Sequence, residues 1–350
     1  MLLKEETKTT RSRTPESRDA RLSVPAAAPV PGLVFRGFRG EVDYPSMLAV
    51  IEGSKEADGV ERSDTLDDIA RNYRHLYNCD PYRDMVFAEV KGQVVGYGRV
   101  FWDQDATGLR RYPHFAFLLP EWRGKGIRQA MLRHNEGRLR QIAAEHPDDG
   151  PRFLEAWADD GEVHWTEILL GAGYEGIRYG FEMVRPDLEN IPDLPLPAGL
   201  EVRPVQPDQI IQIWEAATEA FRDHWGFSED EWRQELENWR EAPTFMPELW
   251  QVAWAGNEVA GMVQNFIDHA QNKEYGRLRG YTEGISVRRP WRRQGLAKAL
   301  IARSFRLHKD LGMTEAALGV DAQNPNGALQ LYKSMGFQVV KRLTTYRKPM

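Results

Sequence analysis

The stretch most suggestive of chemistry is a strand-to-helix turn in the second half of the chain. An apolar, strand-like run over residues 285–287 leads into Arg292, Arg293 and Gly295, and an apolar helical pattern follows directly. The first N–H groups of a helix have no intrahelical partner, and the helix dipole adds positive charge there. Glycine lets a ligand approach the backbone closely, and the guanidinium groups add charge. The turn is therefore typical of a phosphate or pyrophosphate site; the alternative is an ordinary turn with solvated arginines.

Other chemical motifs are missing from the sequence. It contains neither Gly-x-x-x-x-Gly-Lys-Ser/Thr nor Gly-x-Gly-x-x-Gly after a strand, which excludes two better-known phosphate motifs. There is no His-Glu-x-x-His, and the eight histidines are scattered, so we expect no metal. Cys79 is the single cysteine, which excludes an intramolecular disulfide and indicates a reducing cytoplasm.

Length and charge limit the classes of protein further. A chain of 350 residues predicts two domains of roughly 150 residues each. The net charge of −6 argues against nucleic-acid binding, and the arginine cluster over residues 288–293 is too short to reverse that expectation. The sequence shows no run of membrane-spanning length and no apolar signal region, so we expect no membrane contact. Residues 1–32 are predicted to form a disordered tail because they are rich in Pro, Ser, Thr and charge.

The rest of the chain repeats one pattern twice. Hairpins are predicted over residues 86–102 and 249–267. Each is followed by a strand, a glycine turn at Gly126 or Gly295, a helix, a strand, a short helix, a Gly-aromatic pair and a last strand. We interpret this as an internal duplication with one domain per copy, each large enough to hold its own core.

The order of elements predicts an α/β fold with two tandem domains. Each is expected to have a mixed, mostly antiparallel sheet with a parallel βαβ unit and helices on both faces. We assign residues 33–187 to the first domain, the proline-rich residues 188–199 to a linker and residues 200–350 to the second domain. Ligands of open α/β sheets bind at the carboxyl ends of strands, where the glycine turn lies.

A second motif strengthens the interpretation of the turn. The pattern Arg292-x-x-Gly295-x-Ala297 is followed at residues 324–337 by Asn-Pro-Asn-Gly-Ala-Leu-Gln-Leu-Tyr-Lys-Ser-Met-Gly-Phe. This combination resembles the GNAT superfamily of acyl-CoA-dependent N-acetyltransferases, and the whole chain after the tail resembles a tandem GNAT protein, similar in plan to the mycothiol synthases. The resemblance implies acetyl-CoA as co-substrate and direct acetyl transfer to a primary amine of a small molecule, in a ternary complex.

The resemblance also implies where acetyl-CoA would bind. The backbone amides of the turn would hold the pyrophosphate, and the pantetheine arm would bond to the preceding strand, between two strands that splay apart. The contacts expected are Ile285, Ser286 and Val287 on the strand, Arg292, Arg293, Gln294, Gly295, Leu296, Ala297 and Lys298 in the turn, and Asn324 in the second motif.

Two residues match the catalytic positions of the family. An alkylamine with a pKa near ~10 is mostly protonated at neutral pH, so a base has to take its proton. Glu283, four residues before Val287, is the candidate base; the alternatives are a solvated or ion-paired strand residue, or a water chain as base. Tyr332 is the candidate proton donor to the leaving thiolate; the alternative is a tyrosine that only packs in the core.

The first copy departs from this pattern. Gly126 keeps the turn, but Arg128 stands where Gly or Ala is expected, and Leu169 replaces the tyrosine. His114 stands at the position of Glu283, yet a single strand histidine is more often structural. We therefore expect the first domain to be degenerate, serving as scaffold or as one wall of the acceptor site.

The acceptor-binding segment is expected between the first helices of the second copy. Residues 220–232 contain Asp223, His224 and Trp225, a polar and aromatic group suited to a pocket. The alternative is a helix–loop–helix corner capped by Ser228. The sequence also leaves open a non-catalytic acyl-CoA-binding or protein-interaction module, and N-acetylation of a protein or peptide amine. It determines neither the acceptor nor the oligomeric state.

Overall fold

The computed structural model describes residues 21–24 and 30–350, which form a mixed α/β fold. The strands are β1 (Leu33–Arg36), β2 (Met85–Val90), β3 (Gln93–Val100), β4 (Asp103–Gln104), β5 (Arg110–Leu118), β6 (Arg152–Asp159), β7 (Glu175–Arg185), β8 (Glu201–Arg203), β9 (Gln251–Ala255), β10 (Glu258–Phe266), β11 (Arg279–Val287), β12 (Glu315–Asp321) and β13 (Gln338–Pro349). The helices are α1 (Tyr44–Asp58), α2 (Leu66–Arg74), α3 (Pro81–Asp84), α4 (Ile127–Ala144), α5 (Val163–Gly171), α6 (Ile210–Phe221), α7 (Glu229–Arg240), α8 (His269–Glu274), α9 (Leu296–Asp310) and α10 (Ala328–Ser334).

The two copies share one continuous sheet. Twelve strands lie in the order β1-β2-β3-β5-β6-β13-β7-β12-β11-β10-β9-β8, and β4 pairs with the outer side of β5. The pairs β5·β6 and β11·β12 are parallel, and the remaining pairs are antiparallel. The predicted fold class, with one parallel βαβ unit in each copy, is therefore confirmed.

The last strand of each copy lies in the sheet of the other. Strand β7, which ends the first copy, lies between β12 and β13; strand β13, which ends the second, lies between β6 and β7. Tyr346 of β13 therefore packs in the first core, and Met183 of β7 in the second. Each half still has its own core cluster, but one strand of each core comes from the other half. An antiparallel backbone ladder forms equally well with either copy.

The local elements follow the sequence more closely. Both predicted hairpins form, and their turns contain Lys91-Gly92 and Gly256-Asn257. Lys91, Gly92 and Gly256 all have positive φ, as tight hairpin turns require. Helix α9 buries the apolar positions that the pattern predicts, and these are Leu296, Leu300, Ile301 and Phe305.

The segments outside the two copies are partly packed. Residues 1–20 and 25–29 of the predicted tail lie outside the described residues. Within that tail, Leu22 donates its N–H to the Phe35 carbonyl at 2.8 Å and Val24 is buried, so residues 21–24 are ordered against β1. Residues 188–199 contain no helix or strand, but apolar side chains of this linker pack against the second core.

The exchange predicts that neither copy is stable alone. When the backbone is cut between Asp187 and Leu188, each fragment produced separately should be unfolded or aggregated, because it exposes the strand edges that the missing strand covers. Co-expressed fragments should form a folded one-to-one complex. Size-exclusion chromatography and circular dichroism check this expectation, and a monomeric, cooperatively folded 188–350 fragment would contradict it.

Candidate active site

A cleft of about 540 Å³ opens where β11 runs into the N-terminus of α9. Its walls come from the second half of the chain, namely β11, the glycine turn, the end of β12 and the start of α10. The sequence-predicted residues that line it are Glu283, Ile285, Ser286, Val287, Arg292, Arg293, Gly295, Leu296, Ala297, Lys298, Asn324, Tyr332 and His224.

One wall of the cleft presents backbone N–H groups and positively charged side chains. The first N–H of α9 bonded within the helix belongs to Ala299, which donates to the Gly295 carbonyl at 3.1 Å. The backbone N–H groups of residues 293–298 donate to no group of the residues that the structure describes. Gly295 has φ of 87° and Arg293 has φ of 64°, a left-handed conformation that shapes this turn. Arg293 and Lys298 form no ion pair with the described residues, so their charge is available as well.

Three predicted site residues have side chains that bond within the loops around the cleft. The guanidinium of Arg292 donates to the Val287 and Ala220 carbonyls and to Asp223, so it fixes the loop instead of adding charge for the anion. Asp223 accepts a hydrogen bond from Arg292 and pairs with Arg289. It lines neither this cleft nor the cavity of about 440 Å³ that adjoins it. The Gln294 side chain donates to the Pro290 carbonyl and likewise lies outside the lining.

The cleft enters the sheet where two parallel strands separate. The pairing of β11 with β12 ends at Tyr281 and Ala317, although both strands continue. Beyond that point the Glu283 carboxylate accepts the Gly319 N–H at 2.7 Å, in place of a ladder bond. Between Glu283 and Ser286, β11 has one residue more than β10, and Gly284 there has φ of 55°. This bulge leaves the backbone of Ile285 outside the β10 register.

The Glu283 carboxylate is tuned toward neutral pH. Burial in the cleft raises its pKa to about 8, and the negative charge of Glu182 adds to the increase, whereas the Gly319 hydrogen bond opposes it. A carboxylate with such a pKa is a stronger base than an ordinary glutamate, so it suits proton abstraction near neutral pH. Glu182 belongs to β7 and is therefore contributed by the first half of the chain.

Tyr332 lies in the same cleft as Glu283. Its side chain is buried on α10, with its ring 6.2 Å from that of Phe337. Burial raises the pKa of its hydroxyl, and the charge of Glu283 raises it further, so the phenol stays protonated at neutral pH. The structure thus brings the two predicted catalytic residues within electrostatic reach of each other.

A second cavity of about 440 Å³ adjoins the cleft. The two share His224, Gly319, Val320 and Asp321 in their linings. His224 lies at the junction, with its Nε2 3.5 Å from the Asn324 amide nitrogen. Trp225 lines the second cavity but not the cleft. The helix–loop–helix corner also forms, because the Ser228 hydroxyl accepts the Glu231 N–H at the start of α7.

The space in the first copy that corresponds to the cleft is smaller. Its counterpart is a cavity of about 240 Å³, lined by Arg128 and Trp165 where the second copy has Ala297 and Ala328. Arg128 is buried, its Nε donates to the Ala116 carbonyl at 2.5 Å, and its guanidinium lies 4.6 Å from the Trp165 ring. Ala116 occupies the position of Ile285, so the arginine takes the place expected for the pantetheine arm.

His114 is a structural residue. It is fully buried and lies 2.7 Å from the Tyr174 hydroxyl, and burial lowers its pKa to about 4. Leu169 is buried in the first core and offers no proton donor.

Other candidate features of the chain are unreactive. The Cys79 thiol is half-buried, and burial raises its pKa to about 12, so it is protonated at neutral pH. In the part of the chain that the structure describes, no three His, Cys, Asp or Glu side chains are grouped to hold a metal ion. No described helix combines the length and apolarity needed to cross a membrane.

Sequence reasoning missed the contribution of the first half of the chain to the second cavity. Glu182 and Asp159 line the second cavity, and neither belongs to a motif of the second copy. The sequence around Glu182 in β7 and Asp159 in β6 indicates only that they are strand residues. No local pattern identifies them as lining a cavity.

Comparisons with known proteins agree with this geometry. A model of the Acetyltransferase (GNAT) family matches residues 50–147 and 210–337. The chain is 24% identical over 305 residues to a mycothiol acetyltransferase of Thermobispora bispora, covering 84% of this chain and 92% of that protein. It is 26% identical over 309 residues to the mycothiol acetyltransferase of Salinispora arenicola, covering 85% and 91%.

Solved structures share the fold. A GCN5-related N-acetyltransferase from Sphaerobacter thermophilus superposes with a TM-score of 0.69 at 22% identity, covering 93% of this chain and 97% of that one. A tandem GNAT protein from the clavulanic acid biosynthesis pathway gives 0.62 at 15% identity, covering 91% and 98%. With both copies matched by the family model, the chain belongs to the GNAT family of acetyltransferases.

Proposed function

We propose that this enzyme transfers the acetyl group of acetyl-CoA to a primary amine of a small molecule, by direct attack within its second half. The observation that carries the proposal is that one cleft is lined by Glu283, Tyr332 and the helix N-terminus whose backbone N–H groups have no hydrogen-bond acceptor among the described residues. The mycothiol acetyltransferase relatives support a small-molecule acceptor.

The residues present fit acetyl-CoA. The free N–H groups of residues 293–298, with Arg293 and Lys298, would hold its pyrophosphate, and the bulged backbone at Ile285 would bond the pantetheine arm. Bound there, acetyl-CoA supplies a thioester carbon open to attack by an amine.

Each reacting group has a partner on the chain. Glu283 takes one proton from the acceptor ammonium, and the neutral nitrogen then bonds to the acetyl carbon and releases a second proton to solvent as the amide forms. Tyr332 donates its proton to the sulfur as the carbon–sulfur bond breaks. A backbone N–H of residues 285–287 stabilises the carbonyl oxygen as it gains charge.

We assign no catalysis to the first half. Residues 33–187 supply strand β7, the wall of the second cavity and Glu182, whereas residues 200–350 supply the donor cleft, and residues 188–199 connect the two. The buried side chain of Arg128, which occupies part of the corresponding cavity in the first copy, supports this division.

Replacement of the base tests the proposed function. With purified protein, acetyl-CoA and a panel of primary amines, thiol release should follow kcat/KM values that rise toward a plateau above about pH 8, the pKa of Glu283. Glu283→Gln should lower that plateau by roughly 10²-fold or more, because general-base catalysis is lost. An unaltered profile would indicate that a water chain serves as base, and no turnover of any amine would favour the non-catalytic binding module.

Replacement of Glu182 tests whether the ionisation of Glu283 or that of the amine controls the pH dependence. Glu182→Gln removes a negative charge that raises the Glu283 pKa, so the ionised base persists to lower pH. The rising limb of kcat/KM should therefore move to lower pH with the same amine. A limb that stays in place would show that the ionisation of the amine itself controls it.

Replacement of the acid tests the second role. Tyr332→Phe keeps the packing against Phe337 but removes the proton donor, so kcat should fall by about 10²-fold. Coenzyme A affinity, measured by calorimetry, should stay nearly unchanged. Equal kcat in variant and wild type would remove Tyr332 from the mechanism, and loss of coenzyme A binding would assign it a packing role.

A further inference from the structure

The floor of the second cavity is a face of the shared sheet. The side chains that cover it come from β6, β13, β7 and β12, which lie side by side. Strand β6 lies beside β13, and β7 lies beside β12, only because the last strands are exchanged. A row of paired residues crosses the floor from Asp159 through Leu343 and Gly180 to Asp321. At roughly 4.8 Å per strand this row spans about 14 Å.

One end of the floor reaches the proposed base. Gly319, two residues from Asp321 on β12, lines both the donor cleft and the second cavity and donates its N–H to Glu283. An acceptor whose amine reaches Glu283 can therefore extend along the floor toward Asp159 on β6.

The charges of the floor are paired, with one exception. Asp321 accepts two hydrogen bonds from Arg178, at 2.6 and 3.0 Å, and Glu182 pairs with Arg279 at 2.9 Å. The ammonium of Lys341 lies 3.7 Å from a carboxylate oxygen of Glu61. The remaining charged side chain is that of Asp159.

Asp159 forms no ion pair and accepts no hydrogen bond on its carboxylate within the part of the chain that the structure describes. Its side chain is half-buried, and desolvation raises its pKa, while Lys341 opposes that increase. Trp157, two residues earlier on β6, lines the same cavity. A carboxylate beside an indole ring is a combination that binds organic ammonium groups.

We propose that the acceptor carries a second, ammonium-bearing end, which Asp159 and Trp157 hold while its reactive amine lies at Glu283. The acceptor class is a long diamine or linear polyamine. The inference rests on the proposed acetyl transfer: the near ammonium loses one proton to Glu283, its nitrogen bonds to the acetyl carbon and releases a second proton to solvent, the carbon–sulfur bond breaks, and Tyr332 protonates the sulfur. The distal nitrogen stays protonated throughout.

Initial rates with amines of matched length test this inference. Under saturating acetyl-CoA, kcat/KM should be highest for octamethylenediamine, lower for octylamine, which lacks the second charge, and lower for ethylenediamine, which cannot span the floor. Free lysine supplies a carboxylate arm. Preference for lysine over octamethylenediamine would overturn the inference, because it would mean that Lys341 rather than Asp159 anchors the acceptor.

Substitution of the anchor gives the decisive comparison. Asp159→Asn should raise KM for octamethylenediamine by about tenfold, the scale of one lost ion pair, while kcat and the octylamine rates stay unchanged. Unchanged octylamine rates also show that the variant is folded. Asp160→Asn is the matched control, since Asp160 is exposed, pairs with Arg342 and lines neither cavity, and it should change nothing.

The outcomes separate the two proposals. If Asp159→Asn affects both amines equally, or neither, the inference is overturned and the proposed acetyl transfer stands. If the wild type acetylates none of these amines or any other primary amine, the proposed function fails and the inference fails with it.

Discussion

The backbone ladder between β7 and β13 is the interaction on which the rest of the molecule depends. These two strands, the last of each copy, pair along most of their length and bring β6 and β12 into one sheet. Without that ladder the two copies would have separate sheets with exposed edges. With it, residues of the first half, Glu182 and Asp159 among them, line the second cavity that adjoins the cleft.

The separation of β11 from β12 is the second constraint, and it is local. A parallel ladder that stops at Tyr281 and Ala317 leaves backbone groups on both strands in need of partners. Glu283 satisfies one of them by accepting the Gly319 N–H. The same fork withdraws the carboxylate from water, so the feature that opens the cleft also raises the pKa of Glu283.

The two copies show how one scaffold supports two roles. Ala297 leaves space at the start of α9, whereas Arg128 at the matching position of α4 occupies that space and bonds to the strand. Glu283 faces a cleft, whereas His114 is buried against Tyr174. Changes of this kind alter a few side chains inside an intact fold, so the first copy keeps its structural contribution to the shared sheet.

The sequence by itself determined the features that depend on neighbouring residues: the hairpin turns at Lys91-Gly92 and Gly256-Asn257, the apolar face of α9 and the glycine turn before it. It also indicated Glu283 and Tyr332 through motif resemblance, and the structure places them in one cleft. These signals are local because turn geometry and helix periodicity are set within a few residues.

The tertiary structure alone decided which strand pairs with which copy. It also decided that Asp223 and Arg292 bond to each other and that Asp159 faces a cavity. Backbone hydrogen bonds between strands do not depend on side-chain identity, so the sequence does not indicate which copy a strand joins. Ion pairs between distant segments depend on how those segments pack.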